Sequence, residues 1–194
     1  IIMNFRDKTP IRRTNPSSQS NYTRYRDELR SDFNCRCGYC HTHDFFRSTY
    51  YEIDHFVPKT IIKTISKSDY SNLVYSCRSC NNSKRNKWPS NNEAIHNDGR
   101  IGFIDPCDEE YSKQFLRNDD GSIIPITELG CWMFKNLNLG NPSHRITWKL
   151  DELKSIIEEL YSLRESHKDN VSLLNSICDL CSKYFKLENE LKQL

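Results

Sequence analysis

No apolar run in the sequence approaches the ~20 residues of a membrane-spanning helix, and no signal-peptide pattern opens it. Both absences point to a cytoplasmic, reducing setting. The nine cysteines are therefore read as thiols or metal ligands rather than as a disulfide framework. No internal repeat and no low-complexity tract is present, which excludes solenoid and fibrous architectures. A strong net charge is also missing, since the chain carries only +2. Hydrophobic residues make up 36% and charged ones 28%, polar for a globular protein but not disordered. Ten Tyr, nine Phe and three Trp supply aromatic surface for a core, and 194 residues allow one sizeable domain or two small ones.

The small net charge conceals an asymmetry. Residues 1–90 hold 16 Lys and Arg against 8 Asp and Glu; residues 91–194 hold 12 against 18. A basic half beside an acidic half suggests that the first half meets a polyanion, the alternative being two halves that attract each other. Residues 1–20, with Arg6, Lys8, Arg12, Arg13 and two prolines, read as an extended basic arm. Asn21 is placed to cap a short helix from Tyr22 to Phe33. Phe45 to Ile53 reads as one or two strands and Asn72 to Cys77 as another, joined by a polar connection over residues 60–71. A helix starting near Cys80 is expected to end at Pro89, followed by a linker over 89–100. Asn118-Asp-Asp-Gly121 marks a hairpin turn. Helical spacing fills the last third: Leu150, Leu153, Ile156, Ile157, Leu160 and Leu163, then Val171, Leu174, Ile177, Cys178, Cys181 and Phe185.

Two Cys-x-x-Cys units stand out, Cys37-Gly-Tyr-Cys40 and Cys77-Arg-Ser-Cys80. A two-residue spacer turns both thiolates of a knuckle toward one tetrahedral ion, and two knuckles complete a four-cysteine structural zinc site. The 36 residues between them exceed what a zinc ribbon needs, so a functional insertion is held there. Cys35 competes with Cys37 but lacks the two-residue spacer. Cys178 and Cys181 share one helix face and, like Cys107 and Cys131, read as buried packing residues.

Between and just after the knuckles lie Glu52-Ile-Asp54-His55-Phe-Val-Pro58-Lys59, then Asn72-Leu, then Asn81-x-x-Lys84 after Cys80. In this order the segment resembles the HNH nucleases, whose active site is a ββα-metal fold. Singly, each residue has an ordinary reading: Asp54 as a turn cap, His55 as a strand-end histidine, Asn72 as a loop residue, Asn81 as a helix cap. Jointly they fit phosphodiester hydrolysis. A neutral His55 takes a proton from water, while Asp54 and Asn81 offer oxygen ligands to a hard cation, Mg²⁺ or Mn²⁺. The resemblance implies that Asn72 braces the loop and orients the base. It further implies DNA as substrate, with RNA possible, and Lys59, Arg78, Lys84, Arg85 and Lys87 as candidate nucleic-acid contacts. The pattern departs from many HNH sites in ending on Asn81 rather than His, and in a loop from Phe56 to Ser71 that carries Lys59, Lys63 and Lys67 in place of glycines. Glu52, two residues before Asp54 on the same strand face, is left undecided as a metal ligand, and His41 and His43 read as surface residues.

Downstream, Phe103-Ile-Asp105-Pro106, the turn to Pro125 and Leu137-Asn-Leu139 are similar to a subgroup of HNH proteins from bacterial anti-phage systems, the Septu nucleases and their retron-associated relatives. That likeness implies an ABC-type ATPase as partner. The expected architecture is α+β: a basic N-terminal arm and helix (1–34), a zinc-stapled ββα-metal core (35–88), and a linker with an α-helical C-terminal region (89–194). The expected activity is metal-dependent DNA endonuclease. The rivals are a non-catalytic zinc module that binds nucleic acid or a partner, and an RNase, for instance one acting on tRNA.

Overall fold

The computed structural model describes residues 2–46 and 50–194. In chain order the elements are β1 (Ile2–Asn4), α1 (Arg26–Asp32), β2 (Tyr51–His55), β3 (Leu73–Cys77) and α2 (Arg78–Lys84). Then come α3 (Glu109–Ser112), β4 (Phe115–Asn118), β5 (Ile123–Pro125), α4 (Glu128–Asn136), α5 (Pro142–Ser166) and α6 (Val171–Lys192). The central unit is a ββα arrangement. β2 and β3 pair antiparallel, with Tyr51 opposite Cys77 and His55 opposite Leu73, and α2 starts directly where β3 ends. A second antiparallel sheet has the order β1-β4-β5.

Local chemistry accounts for the boundaries. Asn21 accepts a hydrogen bond from the Thr23 amide and opens a 3-10 turn, Tyr22–Tyr25, that leads into α1. The expected helix is thus present, in two pieces. Residues 47–49, inside the stretch expected to be strand, lie outside the described residues; Asp44–Phe46 forms a 3-10 turn, and β2 begins only at Tyr51. α2 stops at Lys84, well before Pro89, because Arg85 takes φ +47°. The turn joining β4 to β5 depends on Gly121, whose φ is +88° and where a Cβ would meet the Arg145 carbonyl oxygen at 2.8 Å.

The three sequence segments share one core. Phe5, Leu29 and Phe33 from the first, Val74 and Tyr75 from the second, and Phe103, Tyr111, Phe115 and Leu139 from the third belong to a single buried cluster. The stretch 89–100 is docked rather than free: the Trp88 and His96 rings both meet Phe56, and Glu93 accepts from the backbone amides of Lys63 and Thr64. Arg117 on β4 is a principal strut. It is fully buried and donates to the carbonyls of Cys40 (3.0 Å), Gly121 (2.8 Å) and Phe5 (3.3 Å), and burial pulls its pKa down to about 10.

The arginines of the N-terminal segment are consumed internally. Arg6 is buried and donates to Pro106 O (2.7 Å) and Ser112 Oγ (2.8 Å). Arg12 pairs with Asp105 (2.9 Å) and donates to Leu73 O (2.8 Å), while Arg13 pairs with Asp32. This part of the positive half holds the fold together instead of facing a polyanion.

The C-terminal third is a helical hairpin. Ile146, Leu150 and Leu191 form its own small core with Tyr184 and Leu187. The stripe of α6 that turns inward is Leu173, Ile177, Leu180, Tyr184, Leu187 and Leu191. Of the expected stripe only Ile177 is buried; Val171, Leu174, Cys178 and Phe185 are exposed. Cys131 is exposed as well, so Cys178 and Cys131 are not the packing residues that their sequence context implied, whereas Cys107 is half-buried.

Candidate active site

The β2–β3 hairpin carries a different site at each end. At the Tyr51–Cys77 end, Cys37 and Cys40 from the turn before β2 meet Cys77 at the end of β3 and Cys80 in the first turn of α2. All four Sγ atoms lie within 4.8 Å of one another, and all four residues are buried. Four mutually close soft donors in a dry pocket match tetrahedral zinc. One residue beside them gave no sequence signal: His144, buried at the start of α5, puts Nε2 at 3.7 Å from Cys77 Sγ and 3.9 Å from Cys80 Sγ. It lies 64 residues beyond Cys80, outside any knuckle spacing.

Cys35, His43 and Asp44 form a second cluster of potential ligands, but Asp44 is already neutralised. Arg30 donates to both of its oxygens, at 2.5 and 3.0 Å, and the Tyr75 hydroxyl donates to Oδ2 at 2.7 Å. His43 Nδ1 accepts from the Phe45 amide. His41 is half-buried near Phe5, and burial pushes its pKa down to about 3. Neither histidine reaches the other end of the hairpin.

At the His55–Leu73 end lies an open cleft of about 250 Å³, lined by Tyr22, Ile53, Asp54, His55, Pro58, Lys59, Asn81, Arg85 and Asn86. Asp54, His55 and Asn81 are thus brought together, although 25 residues separate His55 from Asn81 along the chain. Neighbouring strand residues leave opposite faces, and the pair divides accordingly. Asp54 turns to the Tyr39 hydroxyl (2.6 Å) and Lys84 Nζ (3.0 Å), both on Oδ2. His55 turns to the Tyr22 ring, with centroids 4.7 Å apart, and to the Lys67 carbonyl, 2.8 Å from Nε2.

These partners fix proton placement and the atoms left free. A carbonyl only accepts, so the neutral imidazole carries its proton on Nε2 and leaves the lone pair on Nδ1. Burial holds the His55 pKa below the ordinary histidine value, which keeps the ring neutral. Asn81 donates Nδ2 to Glu52 Oε2 at 2.7 Å, so its amide oxygen is the branch left over. Asp54 Oδ1 carries no hydrogen bond among the described residues, while Oδ2 is doubly held. One carboxylate oxygen and one amide oxygen at the cleft are hard donors that suit Mg²⁺ or Mn²⁺ and fit the expected ligand set. Glu52 is engaged by Arg78 Nε (2.9 Å) and by Asn81, outside the cleft lining.

Asn72 is buried and braces the loop after β2, accepting from the Val57 amide (2.8 Å) and donating to the Val57 carbonyl (3.1 Å). Its side chain is committed to the backbone of Val57. The five expected nucleic-acid contacts separate into three groups. Arg85 and Lys59 are exposed on the cleft wall, Lys59 donating to the Tyr22 hydroxyl at 2.9 Å. Arg78 and Lys87 are exposed but lie off the cleft, Arg78 on Glu52 and Lys87 toward the Asn136 carbonyl. Lys84 is fully buried against Asp54 and has no surface to offer a phosphate. Tyr22 and Asn86 are cleft residues that the sequence did not single out.

Residues 37–87 match the family model described as HNH endonuclease, a span running from the first knuckle cysteine to just past α2. The match covers the hairpin, both knuckles and Asp54, His55 and Asn81 at the cleft, and it supports the HNH family and a nuclease. No curated protein and no solved structure matches the chain.

Proposed function

We propose that the chain is a metal-dependent endonuclease that hydrolyses DNA phosphodiesters in the cleft between the end of β2 and α2. The observation that carries this reading is the convergence of His55, Asp54 and Asn81 on one open cleft, each oriented by a specific partner. His55 Nδ1 accepts a proton from water as the oxygen attacks phosphorus. A bound Mg²⁺ or Mn²⁺, held by Asp54 and Asn81, would neutralise charge on the phosphate and on the departing 3′ oxygen. Arg85 and Lys59 draw the backbone in from the cleft wall, and Tyr22 confines the imidazole from one side. The bond broken is P–O3′, so the products carry a 5′ phosphate and a 3′ hydroxyl.

The wider setting extends the same reading. The likeness of residues 103–139 to anti-phage HNH proteins supports a defence role beside an ABC-type ATPase. The exposed apolar residues of α6 are the surface offered to such a partner.

The test uses full-length protein carrying zinc, incubated in parallel with plasmid, single-stranded DNA and total RNA, with Mg²⁺ or with EDTA. Metal-dependent cutting of DNA that His55→Ala abolishes is expected. RNA cut in preference to DNA would replace the substrate. Binding without cutting, or equal cutting by His55→Ala, would sink the catalytic assignment.

A further inference from the structure

Lys84 is the least expected group in the cleft's surroundings. It sits in the last turn of α2, fully buried, and an ammonium there is stable only with a permanent partner. Its Nζ lies 3.0 Å from Asp54 Oδ2, donates to the His55 carbonyl oxygen at 2.8 Å, and stands 5.6 Å from the Phe103 ring centroid. The Tyr39 hydroxyl occupies Oδ2 from another side. Half of the Asp54 carboxylate is therefore committed before any metal is considered.

The charges at the cleft do not otherwise favour a dication. Among the described residues Asp54 is the one carboxylate lining it, against Lys59 and Arg85 on the wall and Lys84 beneath. Glu52, close to Asn81, is neutralised by Arg78. Asn81 contributes a dipole but no charge. A divalent cation there meets one negative group that already has a positive partner, and two further cations nearby. A phosphodiester brings both the missing negative charge and further hard oxygen donors, the usual way in which Mg²⁺ sites with few protein ligands are completed.

Building on the nuclease reading above, we propose that Lys84 is a positioning residue that keeps the Asp54 end of the cleft neutral in the resting protein, so that the cleft retains a divalent cation only when a phosphodiester is bound. The order of binding is thereby fixed: nucleic acid first, cation with it. Lys84 also ties the carboxylate to the main chain of the base, so Asp54 and His55 keep one mutual geometry.

Mn²⁺ binding, followed by the loss of the free-ion EPR signal, tests this without relying on turnover. Full-length zinc-loaded protein in a His55→Ala background is titrated with Mn²⁺, with and without a saturating uncut DNA duplex. A further Asp54→Asn substitution in that background serves as the blank for ions held by DNA alone. The parent is expected to bind Mn²⁺ at least about tenfold more tightly with DNA than without. Adding Lys84→Met, which keeps the apolar stem and removes the charge, is expected to tighten DNA-free binding by about tenfold and to shrink the DNA dependence. Lys84→Gln, which keeps a donor for the His55 carbonyl, provides the same readout should the Met variant fold poorly, with circular dichroism and zinc content as the checks. If neither variant folds, the comparison with and without DNA decides. Equal affinity with and without DNA, or a folded Lys84 variant with unchanged affinity, overturns the proposal. Cleavage by the parent chain is assayed separately, so its absence counts against the nuclease reading and leaves the Mn²⁺ comparison standing.

Discussion

The two ends of the β2–β3 hairpin are separated by strands of only five residues, yet their chemistry is opposite. At one end, four buried thiols gather soft donors that suit a soft ion, with Thr42 and His144 beside them. At the other, an open cleft collects hard oxygens, a neutral imidazole and surface cations. The thiols of the first end are buried, with His144 from α5 beside them; the second end is an open cleft lined by Tyr22, Lys59, Arg85 and others. One hairpin thus serves as both staple and scaffold. The register that aligns Tyr51 with Cys77 is also the register that sets His55 at the mouth of the cleft. This difference implies that damage at the thiol end removes the fold, whereas damage at the oxygen end removes only chemistry.

The sharpest way to break that contrast is at the thiols. Structural zinc sites contribute folding energy of about 10–16 kcal/mol, comparable to the whole stability of a domain. Cys80→Ser, or prolonged chelation, is expected to abolish the cooperative thermal transition and every activity with it. A folded, active Cys80→Ser protein would show that the cysteine cluster is merely packing. At the other end His55→Ala is expected to cost about 10²–10⁴ in rate while the thermal midpoint falls by only a few degrees. Loss of the zinc content in that variant would erase the distinction.

On the proposed mechanism, with His55 as the base, the cleft also sets a pH limb. Burial lowers the His55 pKa, so the imidazole is neutral through neutrality and becomes charged only as the pH falls through that lowered value. The rate is expected to stay flat from pH 8 down to about 6.5 and to fall, by up to tenfold per unit, only below it. The same sign applies to stability: a group held neutral in the fold destabilises it on protonation, again on the acid side. A rate that already declines above pH 7 would mean that the base is a different group or that its environment is wetter than the cleft.

What the sequence disclosed follows the same division. The knuckles and the Asp54-His55, Asn72, Asn81 series were legible because each relies on spacing or on order along a short segment. Lys84 was not. It is one of three basic residues between 84 and 87 that look alike in composition, and only the helix phase, with the abrupt end at Arg85, turns it inward. The roles of the N-terminal arginines are illegible for a related reason: Arg6 and Arg12 find their partners 100 and 93 residues downstream, where no local pattern reaches. In α6 two apolar stripes interleave, and periodicity alone cannot say which one faces α5.

The smallest predicted effect concerns what remains of the basic half once those internal pairs are subtracted. Arg85 is exposed on the cleft wall and carries no carboxylate partner among the described residues, whereas Lys87 points away toward the end of α4. A cation that touches one phosphate weakens binding by a similar factor for every sequence and contributes about one unit to the salt slope. Arg85→Ala is therefore expected to weaken DNA binding several-fold and to reduce the slope of log K against log salt by about 1, with thermal stability unchanged. Lys87→Ala should do less on both measures. Filter binding across a salt series compares the two directly. If Lys87 proves the larger contributor, the nucleic acid runs along the outer face of α2 toward α4, and the cleft is not where its backbone lies.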